Sequence, residues 1–136
     1  MEDFVTFEIA KKLKEKGFSL NKEDVEFIGF RFIFSDECTI KRISEIAAYE
    51  KEYFGENINC PTISQVLKWL RNNKKTVTSI LPVVFNEKEN KFTQYYCTIY
   101  YATEEFVFEI HERPGTFNTY EECALDAIEY VLDNFI

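Results

Sequence analysis

Residues 76–111 read TVTSILPVVFNEKENKFTQYYCTIYYATEEFVFEIH, and this stretch decides the fold class. The runs 76–85, 92–101 and 106–111 are rich in Thr, Val, Ile, Tyr and Phe. β-Branched and aromatic side chains suit a pleated surface, so each run is expected to be extended. The polar connections NEKENK (86–91) and ATEE (102–105) are short enough to reverse the chain directly. An antiparallel meander follows. Pro82 cannot donate to a ladder, which places the first run at an edge, at a bulge or in a broken strand. In the third run Phe106, Phe108 and Ile110 point one way, and Glu109 and His111 the other.

Helix signals flank the meander. Thr62-Ile63-Ser64-Gln65 is a capping box. Ile63, Val66, Leu67 and Leu70 follow at helical spacing and make one apolar face. Lys74 and Lys75 suit the negative end of such a helix. Thr119-Tyr120-Glu121-Glu122 is a second capping box. It opens a helix running almost to the end, with Ala124, Ala127, Ile128, Val131 and Phe135 on its core face. Near the N-terminus, Val5, Ile9 and Leu13 predict a helix over 4–16, capped by Asp3 and stopped at Gly17, with Phe18 folding back on the last turn. VEFIGFRFIF (25–34) reads as a strand covered on both sides, and 40–54 as a helix that Gly55 ends. The order of elements lacks βαβ alternation. It predicts an α+β fold, a mainly antiparallel sheet of about four strands packed with about four helices, in a single domain, 1–136.

Composition narrows the function classes. Apolar residues at 46% and charged residues at 29% exclude a disordered chain. With 16 basic against 24 acidic residues, the net charge is -8, which disfavours direct binding to nucleic acid or an anionic membrane. No apolar run is long enough to span a bilayer. MEDFVTFEIAKK is charged from its second residue, unlike a secretory leader. Cys38, Cys60, Cys97 and Cys123 form no CxxC pair and no metal-ligand spacing with the lone His111. Free thiols in a cytoplasmic protein are expected, with no metal and no cofactor. GxGxxG, GxxxxGK[ST] and HExxH are absent.

Several segments carry a resemblance. CPTISQVLKWLR, the terminal YEECALDAIEYVLDNFI and the opening FEIAKKLKEKGF resemble a group of small proteins of Bacteroides-type bacteria and their phages or mobile elements. That group has a PTxxQxxxWLR-like motif in mid-chain and ends in a YEEAL-like helix. The matching positions are Pro61, Thr62, Gln65, Trp69, Leu70, Arg71, Tyr120, Glu121, Glu122, Ala124 and Leu125, and Lys16 to Phe18 match the end of the group's first segment. The resemblance covers about a third of the chain and leaves out 25–55. It implies a phage or mobile-element setting and brings no catalytic residue with it.

Two surfaces are candidates for a protein partner. One is the edge of the 62–73 helix, where Lys68 and Arg71 lie beside Trp69. Trp and Arg are common at interface centres. The plainer role for Trp69 is packing over a neighbouring strand, with Arg71 across its ring. The other is the reverse face of the last helix, where Glu122, Asp126, Glu129 and Asp133 fall within about 60° of arc. An enzyme is the alternative, with His111 and Glu109 as an acid–base pair. Cys60 is its candidate thiolate, just before a helix start. A further alternative is an acidic mimic of nucleic acid. Strand 92–101 is also placed to pair edge to edge in a homodimer.

Overall fold

The computed structural model describes residues 3–18, 30–32, 40–42 and 60–136, with backbone alone at 30–32 and 40–42. The chain divides into two compact units, 1–62 and 63–136. The described residues combine helices with antiparallel sheet, the α+β class.

In the first unit, α1 spans Phe7–Glu15. It starts later than the sequence predicts. Thr6 is the N-cap, and its hydroxyl accepts from the Ile9 amide at 3.3 Å. Asp3 cannot cap because the next residues are extended. Phe4 bridges Thr62, and the Val5 amide donates to the Pro61 carbonyl at 3.1 Å. The end of α1 follows the sequence. Gly17 takes φ 84°, the Phe18 amide donates to Leu13, and the Gly17 amide donates to Lys14. These are the paired bonds of a left-handed glycine cap. Phe7, Ile9, Ala10 and Leu13 are buried, so more than the narrow Val5–Ile9–Leu13 stripe is covered.

Also in this unit, β1 (Phe30–Phe32) pairs antiparallel with β2 (Ile40–Arg42), Phe30 opposite Arg42 and Phe32 opposite Ile40. Residues 40–42 were expected to open a helix and form a strand instead. The ladder supplies their backbone partners from the strand just before them in sequence, a gain that helical periodicity does not reveal. The rest of the strand expected over 25–34 and of the helix expected over 40–54 lies outside the described residues.

The second unit runs α2 (Ile63–Asn73), β3 (Thr76–Asn86), β4 (Lys91–Glu104), β5 (Val107–Glu112) and α3 (Tyr120–Asn134). Its three strands form an antiparallel sheet with β4 in the centre. The homodimer expectation for 92–101 therefore loses its premise, because that strand has a neighbour on each side. The edges are β3 and β5. Pro82 sits on the edge strand β3, beside a register shift between Pro82 and Val84, as its missing N–H requires. The polar turn 87–90 joins β3 to β4, and β4 continues past its expected end to Glu104.

Both helices pack on one face of this sheet and touch each other. Ile63, Val66 and Leu70 of α2 are buried, with Leu67 half-buried. Cys123, Ala124, Ala127, Ile128, Val131 and Leu132 of α3 are buried as well. They meet Cys97 and Ile99, which are fully buried on the central strand. Thr119 caps α3 by accepting from the Glu122 amide at 3.1 Å. The stretch RPGT turns through Gly115 at φ 79°.

Candidate interaction surface

The pleat assigns side chains to the two faces of the sheet. Ile99 lies opposite His111, and Tyr101 opposite Glu109. These residues share the helix side, where Tyr101 stacks on Phe135 with centroids 5.0 Å apart. The alternate set must point away from the helices. It comprises the row Val77, Tyr100, Ile110, the pair Ala102, Phe108, and the pair Leu81, Tyr96. Between these rows lie Ser79, Thr98 and Glu112.

His111 therefore faces α3. Its Nδ1 is 3.5 Å from the Tyr130 hydroxyl, and its ring meets the Phe135 ring at 4.7 Å in an edge contact. Glu109 Oε2 is 3.8 Å from His111 Nε2, so the expected pair is adjacent, although too distant for a hydrogen bond. Nε2 is shielded from solvent and has no hydrogen-bond partner. Beside this group, the Arg113 Nε donates to Asp126 at 2.8 Å, and a second guanidinium nitrogen reaches the other carboxylate oxygen at 3.4 Å. The Arg113 guanidinium also lies over the Tyr130 ring, 4.2 Å from its centroid. The cluster clamps α3 to the β5 edge of the sheet. A depression of about 450 Å³ lies elsewhere, around Tyr95, Lys91, Tyr120 and Glu121, and its lining includes neither His111 nor Cys60.

Cys60 has the wrong environment for a nucleophile. It is fully buried, and burial pushes its thiol up to about 12. An activated thiolate needs the opposite shift. Burial also raises Cys97, and it pushes Cys123 up to about 12. All three are free thiols. Iodoacetamide at pH 8 is expected to leave them unmodified in the folded protein and to label them in urea, as read by intact mass. The sign of the linkage is fixed. Unfolded thiols ionise from about pH 8.5, whereas the buried ones stay neutral. Stability is thus complete below that pH and declines as pH rises towards the folded values. A urea midpoint that climbs between pH 8.5 and 10 would contradict this.

The surfaces expected from sequence are partly spent on internal contacts. Trp69 is half-buried, and the Lys74 ammonium lies 5.3 Å from its ring centroid. Lys74 takes the place foreseen for Arg71, because a residue two positions on lies roughly 200° round a helix from Trp69. Lys68 and Arg71 are exposed. On α3, Glu122, Glu129 and Asp133 are exposed, but Asp126 is half-buried in its pair with Arg113. The reverse face is thus broken at its second position.

The surface that sequence reasoning missed is the face of the sheet that is helix-free among the described residues. Ile110 is 62% exposed and Phe108 57%, and Val77 and Leu81 are also exposed. The signal was present in the alternation of β5. On its polar side His111, with Arg113 beyond, turns inward to meet Tyr130 and Asp126, while Glu109 stays exposed. Its apolar side faces water. The strand is thus amphipathic with its apolar side left exposed, an arrangement the burial of apolar side chains alone does not explain. No family model, no curated protein and no solved structure matches this chain.

Proposed function

We propose that this is an accessory protein that binds a protein partner on the helix-free face of its three-stranded sheet. The observation that carries the reading is the apolar tract formed by Val77, Leu81, Phe108 and Ile110, exposed on one sheet face. Large apolar side chains exposed together on one sheet face, here on either side of the row Ser79, Thr98 and Glu112, are a feature of binding surfaces. The charge around it selects the partner. From Phe92 to Glu112 there is no Lys or Arg, while Glu104, Glu105 and Glu112 border the tract. A complementary surface has an apolar centre and a rim of lysine or arginine. The net charge of -8 adds long-range attraction for such a protein. The sequence resemblance supports a phage or mobile-element setting inside the cytoplasm. Among the described residues no helix is long and apolar enough to cross a membrane.

The competing readings have less support. The enzyme reading has an imidazole packed against Tyr130 and Phe135 and a thiol pushed away from reactivity. The nucleic-acid mimic needs a continuous acidic face, and Arg113 interrupts the one on α3.

The test is affinity purification from native-type cells with an Ile110→Lys bait. A cation in the middle of the tract is expected to lower partner recovery by about 10- to 100-fold, the range of an interface centre. The melting curve should stay unchanged, since Ile110 is exposed. A bait carrying Glu129→Lys with Asp133→Lys should recover the partner normally. The reverse outcome, loss with the helix pair and retention with Ile110→Lys, moves the site to α3. Light scattering that shows a stable dimer, dissolved by Ile110→Lys, assigns the face to a second copy.

A further inference from the structure

The turn between β4 and β5 holds a residue that folding does not account for. Phe106 follows Glu105 in this tight connection, with φ 65° and 89% exposure. A bulky side chain in the left-handed region is a conformational outlier. Where else the described chain enters that region, it uses Gly17, Gly115, Asn90 and Lys75. Asn90 does so in the other hairpin turn, at φ 52°. Phe106 therefore strains the backbone while its ring gains almost nothing from burial. Across the turn the Thr103 hydroxyl donates to the Val107 carbonyl at 3.3 Å. A register shift between Ala102 and Glu104 bends the ladder just before it. The ring stands at the end of the apolar tract, next to Val107 and Phe108, both exposed. Glu104 and Glu105 precede it directly, and no cation lies between Ala102 and Glu112.

We infer that Phe106 is the insertion point of the complex: its ring enters an apolar pocket on the partner protein, and lysine or arginine at the pocket mouth meets Glu104 and Glu105. The inference rests on the proposed binding face and adds the residue that leads and the chemistry of the pocket receiving it. Backbone strain at an exposed turn residue, with no burial of its ring to offset it, points to a role outside folding. Rigid aromatic rings are the side chains that carry interface affinity at low entropic loss. The carboxylates disfavour an anionic lipid surface as the receiving phase.

Phe106→Asn separates the two roles of the residue by sign. Removing the strain should move the folding equilibrium towards the native state by about 3- to 10-fold, read as a higher urea midpoint. Losing the ring should lower partner recovery by about 10- to 100-fold. Phe106→Trp should keep recovery and should not raise the midpoint. In the full chain, p-benzoylphenylalanine in place of Phe106 should crosslink on irradiation in cells. The adduct should map to a partner peptide with apolar residues flanked by Lys or Arg, and its yield should fall as salt rises. Recovery unchanged in Phe106→Asn overturns the inference, and so does an adduct with a second copy of this chain or with phospholipid. If Ile110→Lys abolishes recovery while Phe106→Asn does not, the binding face stands and the insertion point falls. If neither variant changes recovery, the face itself is wrong.

Discussion

Replacing Arg113 with alanine is expected to destabilise the second unit by about 2–4 kcal/mol, the sum of lost charge-assisted bonds and a lost cation–π contact. Two bonds run to Asp126, at 2.8 and 3.4 Å, and the guanidinium covers the Tyr130 ring. Both side chains of the pair are about three-quarters covered, at 24% and 28% exposure. The pair is therefore screened less than a surface ion pair, which contributes only about 0–1 kcal/mol. Once Arg113 is gone, the Asp126 carboxylate has lost its partner beside the buried thiols Cys97 and Cys123. That stranded carboxylate accounts for part of the loss, and Asp126→Asn removes it. The double variant should therefore be less destabilised than the sum of the singles, with a coupling of about 1–3 kcal/mol. Urea unfolding of the four proteins closes the cycle. Additive effects would mean that the pair does not hold α3 to the sheet. The same cycle tests the acidic face of α3, since Asp126 can serve only one master surface, the internal one or an external one.

How legible these features were depends on how local their causes are. The Thr119 cap, the Gly17 stop and the meander are written in neighbouring residues, and the chain obeys them. The N-terminal cap was misread because Asp3 and Thr6 are both good caps. The choice between them is made by the bridge of Phe4 to Thr62, more than fifty residues away. Residues 40–42 differ, since the strand 30–32 that pairs with them is close in sequence and its ladder outweighs helical spacing. The inward turn of His111 and Arg113 is legible only once the register of α3 is known, because Asp126 and Tyr130 make those polar groups welcome. A rule that buries apolar residues would have put Phe108 and Ile110 inside. The candidate surface was hidden for that reason: it is the half of an amphipathic strand that folding leaves over.

The largest effect on the fold should come from Ile128→Ala, with a loss of about 2–5 kcal/mol. Ile128 is fully exposed to neither solvent nor a cleft; it is wholly buried on α3, among Ala124, Ala127, Val131 and Leu132. This helix packs against β3, β4 and α2, so a void there loosens each of those contacts. Small neighbours sharpen the effect. Ala124 and Ala127 cannot swing into the space, and the sheet below is tied by the ladder of its central strand. Alanine is also the better helix former, by a few tenths of a kcal/mol, so the cavity is larger in energy than the measured change. Ile128→Val removes one methylene and should give about 0.5–1.5 kcal/mol. The graded pair distinguishes packing from a general weakness of the helix, which would give similar values for both. Since whole domains are stable by only about 5–15 kcal/mol, Ile128→Ala should bring the unit close to unfolding at 37 °C. Urea midpoints for the two variants are the measurement. A loss below about 1 kcal/mol for Ile128→Ala would mean that α3 does not seal this core.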